Sequence, residues 1–225
     1  MAEADFAGRT VLVFGAAGAL GAGVAAAFVD AGAAVIGADR VRPAAERQLP
    51  GVRYEAADVL DDDAMAALFD GIPHLWAAAN TVGGFAPKRP LAETDLAELT
   101  GQLQLNLVSA ALITKHALRV LQPGGHGRIV HTASRAAVAH GGSGFAYSVS
   151  KAGVLHLVAM AADEVRGSGI TVNCVVPSII DTPANRAAMP AANHDAWPKI
   201  DDIARSYVYL ASPAASLVNG ASVPV

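Results

Sequence analysis

The stretch that decides the fold is "VLVFGAAGALGAGVAAAFV" at residues 11–29, which contains no charged residue. A run of about 18 apolar residues is long enough to span a membrane. Gly15, Gly18 and Gly21 argue against a continuous apolar helix, because glycine is a poor helix former. The residues before it, "MAEADFAGR", include acidic side chains where a secretion signal carries positive charge. We therefore interpret the stretch as a strand, a glycine turn and a helix, and expect no association with a membrane.

The composition suits one cytoplasmic α/β domain. The chain has 225 residues, of which 53% are hydrophobic and 16% charged, as expected for a parallel sheet covered by helices on both faces. Its formal net charge of −4 gives no reason to expect a nucleic-acid partner. The one cysteine, Cys174, excludes an internal disulfide and fits a reducing compartment, and the scattered histidines have no metal-ligand spacing. We expect one domain over residues 1–225, in the cytoplasm, without a metal ion.

Apolar runs of strand length alternate with longer helical patterns along the chain. The predicted strands lie at 10–14, 34–38, 52–56, 75–79, 128–132, 171–176 and 221–225. The predicted helices lie at 20–31, 62–69, 94–121, 146–166 and 200–211. This alternation predicts a single Rossmann-type, doubly wound α/β domain with about seven parallel strands and helices on both faces. Such sheets bind ligands beyond the carboxyl ends of their strands.

The glycines of "FGAAGALG" are candidates for binding a pyrophosphate. Gly15 permits a tight turn after the first strand, and Gly18 and Gly21 let backbone approach a phosphate and let the helix pack on the sheet. The N–H groups at the start of the helix then face the phosphates. A strand–helix turn without a ligand explains the same spacing, since alanine- and glycine-rich chains produce it by chance.

Three charged residues bear on which dinucleotide fits this turn. Asp39 closes the next predicted strand, where a carboxylate accepts hydrogen bonds from ribose hydroxyls and repels a 2′-phosphate. Arg40 follows directly, and an arginine there can hold that phosphate. Asp58 ends the third strand and is either an adenine contact or a loop and helix-cap aspartate. We therefore favour NAD(H) and leave NADP(H) open.

The stretch "AYSVSKAGV" carries the candidate acid–base chemistry. Tyr147 and Lys151 are one helical turn apart and face the same side. A free phenol has a pKa of about 10, and a neighbouring ammonium stabilises the phenolate and lowers that pKa. Ser134, at the end of the strand "RIVHTAS", offers a hydroxyl that can hydrogen-bond a reacting carbonyl. Taken alone, the tyrosine–lysine pair also fits an exposed helix surface, and the serine fits a polar loop.

The order of these features resembles the short-chain dehydrogenase/reductase family over nearly the full chain. "FAGRTVLVFGAAGALG" is similar to the family's cofactor turn, "NTVG" stands where the family usually has NNAG, and "NCVVPSIIDT" is similar to its nicotinamide segment. The resemblance implies that Asn106 in "LQLNLVSA" holds a proton-relay water beside Ser134, Tyr147 and Lys151. It also implies a nicotinamide cofactor bound by Gly15, Gly18, Ala19, Leu20, Gly21, Asp39, Arg40, Asp58, Val59, Asn80, Gly83, Tyr147, Lys151, Pro177, Ile180 and Thr182.

Some motifs are closer to one branch of that family, the dihydropteridine reductases. "FGAAGALG", "VGGF" and "DTPANRAAMP" resemble that branch, and the resemblance implies that Phe85 packs against a pterin. A loop anchor in the core is an equal interpretation of Phe85. Those enzymes typically lack the serine that this chain has at Ser134, which favours an ordinary carbonyl or alcohol substrate.

Residues 181–198 follow the sixth predicted strand and contain three prolines that interrupt any long helix. The segment is too apolar for a free linker, so we expect it to cover the nicotinamide end of the cofactor. Met189 and Trp197 are its candidate substrate contacts. We predict that it is the most mobile part of the protein without ligand and that it orders when cofactor and substrate bind.

Two classes of function fit this sequence: an enzyme, and a non-catalytic dinucleotide-binding sensor or interaction protein on the same fold. Sensors commonly lose the tyrosine or the lysine, and both are present here, so we favour the enzyme. The predicted helices 94–121 and 146–166 have more apolar positions than a sheet-facing stripe needs. The surplus predicts packing against a second copy of the chain, as a homodimer or a tetramer of such dimers.

Overall fold

A computed structural model describes residues 6–85, 89–139 and 144–225. Within these ranges seven parallel strands form one sheet in the order β3-β2-β1-β4-β5-β6-β7. The strands are β1 (Thr10–Phe14), β2 (Ala34–Asp39), β3 (Val52–Ala56), β4 (Leu75–Asn80), β5 (Gly127–Thr132), β6 (Ile170–Val176) and β7 (Ser222–Pro224). The strand order reverses beside β1, so the carboxyl ends of β1 and β4 form the crevice where such sheets bind ligands. The predicted Rossmann-type sheet is confirmed.

Helices cover both faces of this sheet. They are α1 (Ala19–Asp30), α2 (Asp62–Asp70), α3 (Leu96–Gln102), α4 (Ser109–Leu121), α5 (Phe145–Glu164), α6 (Pro183–Ala188) and α7 (Ile200–Ala211). Successive residues of a strand point to opposite faces. Accordingly, Leu12 packs with α2, α4 and α5 in one buried cluster, whereas Val13 packs with α1 and α7 in the other.

The predicted helix at 94–121 begins two residues later than expected and is not α-helical throughout. It begins at Leu96, after the Asp95 carboxylate caps it by accepting a hydrogen bond from the Glu98 N–H at 2.7 Å. A π-helical segment, Leu103–Val108, then separates α3 from α4. Its widened turn directs Asn106 inward, where the side-chain amide pairs with the backbone N–H and carbonyl of Gly84, both at 3.1 Å.

One short helix inside the proline-interrupted segment was not predicted. Pro183 occupies the first turn of α6, where its missing N–H removes no helical hydrogen bond. Thr182 caps the helix, because its Oγ1 accepts a hydrogen bond from the Asn185 N–H at 3.1 Å. The prolines therefore limit helix length in this segment without removing helix altogether.

Helix α5 is long and apolar enough, by length and composition alone, to cross a membrane. It packs against the sheet through Val154 and Val158, which belong to the buried cluster beside β5 and β6. It also buries the charged side chain of Lys151. These are the contacts of a core helix.

Candidate active site

The glycine turn lies at the carboxyl end of β1 and leads directly into α1. Gly15 has a φ of +78°, a conformation that favours glycine. A Cβ added to Gly21 would lie 2.1 Å from the Gly15 carbonyl oxygen, so turn and helix touch backbone to backbone. Gly18 caps α1 without a side-chain hydrogen bond, and the first helical turn contains no acidic residue. The open end of α1, which begins at Ala19 and Leu20, therefore fits an anionic pyrophosphate.

Asp39 lies against this turn. Its Oδ2 accepts a hydrogen bond from the Ala17 N–H at 3.1 Å, and its Oδ1 accepts one from the Arg40 N–H at 2.8 Å. Sequence reasoning missed Arg47, whose Nη2 donates to the Ala17 carbonyl at 3.3 Å. Arg47 lies in the connection from β2 to β3, and no motif marks such a loop residue as a neighbour of the glycine turn. The Asp39 carboxylate and the Arg47 guanidinium therefore border the same edge of the candidate cofactor site, where Arg40 follows Asp39 in the chain.

Asp58 and Val59 follow β3 at the same sheet edge. Asp58 is exposed, and its Oδ1 accepts a hydrogen bond from the Leu60 N–H at 3.0 Å. Val59 packs against the buried cluster on the α2 side of the sheet. The Asp58 carboxylate thus shapes the turn after β3, and its exposure leaves it accessible to a ligand.

Asn80 has a structural role at the end of β4. Its side chain is 2% exposed, and its Oδ1 accepts a hydrogen bond from the Val82 N–H at 2.9 Å. Its Nδ2 donates to His131 Nδ1 at 3.0 Å, which leaves the His131 proton on Nε2, 2.9 Å from Thr114 Oγ1. Burial, with the Lys151 charge as a second cause, lowers the pKa of His131 to about 3. A neutral histidine therefore fixes Asn80 and, through it, the loop that carries Gly83.

Tyr147, Ser134 and Phe85 meet at the carboxyl edge of β5. Burial raises the Tyr147 pKa, and the nearby Ser134 hydroxyl opposes that rise. Ser134 Oγ also accepts a hydrogen bond from the Ala136 N–H at 3.2 Å. The Phe85 ring contacts the Tyr147 ring edge-on, with centroids 5.2 Å apart. Phe85 is 65% exposed, so this contact forms an aromatic wall that faces solvent beside the phenol.

Lys151 lies one turn further along α5 and is 4% exposed. Its Nζ donates to the Thr132 carbonyl at 2.9 Å. Burial lowers the Lys151 pKa to about 8. A Cβ added to Gly83 would lie 2.7 Å from Asn106 Oδ1 and 2.9 Å from Lys151 Nζ. Gly83 therefore lies between these two polar groups, and any larger residue there would collide with them. This explains the glycine of "NTVG".

Asn106 joins α4, α5 and the loop after β4. Besides its pairing with Gly84, its Nδ2 lies 3.0 Å from Ser150 Oγ. Ser150 Oγ in turn donates to the Tyr147 carbonyl at 2.8 Å. The Asn106 side chain is thus a fixed part of the framework around Tyr147 and Lys151.

Three predicted nicotinamide contacts follow β6. The Pro177 carbonyl accepts a hydrogen bond from the Arg135 N–H at 3.0 Å, which joins this segment to the residue after Ser134. Asn185 Nδ2 donates to the Ile180 carbonyl at 2.8 Å. Since Asn185 also bonds to Thr182, one side chain links both of the later contacts to α6.

Met189 and Trp197 pack within their own segment. Trp197 is 8% exposed, and its ring lies 4.6 Å from the His194 ring. His194 Nε2 donates to the Met189 carbonyl at 2.8 Å. Of the three tentative substrate residues, Phe85 is therefore the one with a described contact to Tyr147.

The comparisons with known proteins agree with this geometry. A family model described as "Enoyl-(Acyl carrier protein) reductase" matches residues 15–225. The chain is 36% identical to cis-4-hydroxycyclohexanecarboxylate dehydrogenase of Sinomonas cyclohexanicum, covering 100% of this chain and 97% of that protein. A solved short-chain type dehydrogenase/reductase from Mycobacterium ulcerans superposes with a TM-score of 0.90 at 29% identity, covering 98% of this chain and 89% of the other.

A second solved structure bears on the cofactor. It is a putative NAD(P)-dependent gluconate 5-dehydrogenase from Beutenbergia cavernae with bound NADP at low occupancy. Its TM-score is 0.89 at 26% identity, covering 99% of this chain and 96% of that chain.

This chain belongs to the short-chain dehydrogenase/reductase family. It is an NAD(P)-dependent oxidoreductase that acts on alcohol or carbonyl groups. The enzyme class is therefore confirmed over the sensor class. The closer likeness to dihydropteridine reductases stays a prediction.

Proposed function

We propose that this enzyme transfers hydride reversibly between NAD(H) and a small alcohol or carbonyl compound, with Tyr147 as the acid–base group. One observation carries the proposal: Tyr147 lies beside Ser134 and one helical turn from the buried ammonium of Lys151. When bound, the nicotinamide supplies or accepts the hydride. The protein side chains then supply the proton and orient the substrate oxygen.

Tyr147 and Lys151 divide the proton chemistry between them. In carbonyl reduction, the Tyr147 hydroxyl gives its proton to the substrate oxygen, and the Ser134 hydroxyl donates a hydrogen bond to that oxygen. Burial raises the Tyr147 pKa in the protein without ligand. A Lys151 pKa of about 8 keeps this side chain mostly protonated at neutral pH. We propose that its positive charge stabilises the phenolate when Tyr147 gives up its proton.

NAD(H) is the proposed cofactor because the Asp39 carboxylate borders the glycine turn. The Asp39 carboxylate accepts hydrogen bonds from ribose hydroxyls and repels a 2′-phosphate. The positive charges of Arg40 and Arg47 favour that phosphate.

We expect the wild-type enzyme to have a higher kcat/KM with NADH than with NADPH. In Asp39→Asn, the ratio of the two kcat/KM values should shift roughly tenfold toward NADPH. Arg47→Ala should lower the kcat/KM measured with NADPH. Arg42→Ala is the matched control, because Glu55 holds that guanidinium at 2.6 Å. A clear NADPH preference in the wild-type enzyme would contradict the assignment.

The proposed substrate is a compact cyclic or apolar alcohol. Phe85 supplies an exposed aromatic surface beside Tyr147, and one similar protein is named for a hydroxycyclohexane carboxylate. A screen of cyclic and acyclic alcohols and their ketones, with NAD(H) and NADP(H) side by side, tests this. Faster turnover of cyclic substrates supports the proposal, and turnover of acyclic polyols alone contradicts it.

A dihydropteridine substrate is the second candidate, because the same Phe85–Tyr147 contact could pack a pterin ring. The substrate screen therefore includes a quinonoid dihydropterin. Reduction of this compound faster than of any ketone would favour the second candidate.

A further inference from the structure

Asp181 is the centre of an ion-pair cluster beside the candidate nicotinamide site. Arg186 binds it with two hydrogen bonds, from Nε to Oδ1 at 2.5 Å and from Nη2 to Oδ2 at 2.9 Å. Lys199 Nζ donates to the same Oδ2 at 2.6 Å. The Asp181 side chain is only 10% exposed, although both cations are about half exposed. The hydrogen bonds from Arg186 and Lys199 hold the Asp181 pKa well below its usual range, so the carboxylate is charged at neutral pH.

This cluster joins the two ends of the 181–198 segment. The Asp181 N–H donates to the Pro198 carbonyl at 3.0 Å, and its carboxylate binds Lys199, the residue that follows. Asp195 adds an attractive charge to Arg186. One residue thus closes the base of the segment through its backbone and its side chain.

The base of the segment is also fixed to the helix that begins at the glycine turn. Lys199 directly precedes α7, whose first residue is Ile200. A Cβ added to Gly23 of α1 would lie 2.1 Å from Ile200 Cγ2, so α1 and α7 are in close contact there. The neighbours of Asp181 in sequence are Ile180 and Thr182, two of the predicted nicotinamide contacts. The two cofactor-binding regions are therefore connected through α7.

We infer that Asp181 is a positioning residue that holds Ile180 and Thr182 in place for the nicotinamide end of the cofactor. It acts through Arg186 and Lys199. Its role at the cofactor rests on the proposed function. The cluster also confines any movement of the covering segment to residues 187–197, between Arg186 and Pro198.

Asp181→Asn tests the inference, because it removes the charge and keeps the shape and the backbone N–H. Asp202→Asn is the matched control, since Asp202 pairs with Arg205 on the exposed surface of α7. In the protein without ligand, Asp181→Asn should speed amide hydrogen exchange at 180–186 by roughly tenfold or more, because local opening becomes easier. It should raise the NADH dissociation constant by a similar factor while kcat changes less than about threefold. Asp202→Asn should leave both measurements unchanged.

Lys199→Gln is the second variant, in case Asp181→Asn does not fold. Arg186 still binds Asp181 in this variant, so Lys199→Gln should change amide exchange and NADH affinity in the same direction but by less. Unchanged exchange in both variants would overturn the inference. Faster exchange with unchanged NADH affinity would overturn the positioning role. Wild-type protein that binds neither NADH nor NADPH would overturn the proposed function, and the exchange measurement would still decide whether Asp181 joins the ends of the segment.

Discussion

Lys151 is a cation buried among backbone and polar groups, with the Thr132 carbonyl at 2.9 Å as its hydrogen-bond acceptor. Burial of a charge with one neutral partner is costly. The cost appears as the fall in its pKa from 10.5 to about 8. The function proposed for the site needs this charge, whereas the fold does not.

We therefore predict that Lys151→Met stabilises the protein at pH 7. The folded-state pKa lies below the unfolded value, so the penalty is fully present below pH 8 and disappears as pH rises toward 10.5. Removing the charge should raise the free energy of unfolding at pH 7 by about 1–2 kcal/mol, after the loss of one hydrogen bond. Urea denaturation at pH 7 and at pH 9.5 measures the difference, which should shrink at the higher pH.

Lys115→Met is the control for that comparison, because Lys115 is exposed and pairs with Asp62 on the surface. It should change stability by less than about 1 kcal/mol. A Lys151→Met variant that is less stable than wild type at pH 7 would contradict the account of the buried charge.

The sequence predicts which residues share the site better than it predicts the contacts of each side chain. The spacing of Tyr147 and Lys151 follows from helix geometry, and Ser134 follows from a strand end. Asn80 also ends a strand, yet its side chain points inward to His131. A motif marks the position, but the direction of a side chain depends on a partner that is distant in sequence.

At the junction of the glycine turn with α1, the backbone leaves no space for a side chain at Gly21. Gly21→Ala would place a methyl group 2.1 Å from the Gly15 carbonyl oxygen, so the turn must move. We expect NADH binding to weaken by roughly tenfold or more, because the helix end no longer fits the pyrophosphate. Isothermal titration measures the affinity.

Gly101→Ala is the matched glycine substitution. Gly101 lies in α3, and a Cβ there would meet no atom within 4 Å. Alanine should raise stability by up to about 1 kcal/mol without changing NADH affinity, since it favours helix. Equal effects of the two substitutions on NADH binding would contradict the steric account of Gly21.

The elements themselves were predictable from apolar periodicity, because buried parallel strands and helices have different repeat lengths. Strand ends differ from prediction by a residue or so, as at β2, which extends to Asp39. The π-helical segment Leu103–Val108 was not predictable, because it accompanies the pairing of Asn106 with Gly84, which is distant in sequence. Arg47 was missed for the same reason, since a loop contact depends on the assembled fold.

For the whole molecule, we propose a two-fold symmetric dimer or a tetramer of such dimers, built on α4, α5 and the π-helical segment. This surface exposes several large apolar side chains: Leu105, Val108, Val149 and Met160. These side chains lie on neighbouring elements, the π-helical segment and α5, which favours an interface between copies of the chain. Light scattering at micromolar concentration should therefore give at least twice the chain mass.

A substitution distinguishes this surface from other exposed apolar residues. Met160→Asp places a charge on α5 and should shift the mass toward the monomer. Leu217→Asp is the control, because Leu217 is 97% exposed and lies outside these helices. A monomeric wild-type protein would contradict the proposed dimer.

The Tyr147→Phe variant shows whether the Tyr147 hydroxyl transfers the proton. The change removes one hydroxyl and keeps the ring that contacts Phe85. Stopped-flow NADH oxidation is measured with the best substrate from the screen. The NADH affinity should stay within about twofold of wild type. The kcat should fall by at least ~10²-fold, the usual effect of losing a general acid. Wild-type turnover in Tyr147→Phe would show that another group transfers the proton.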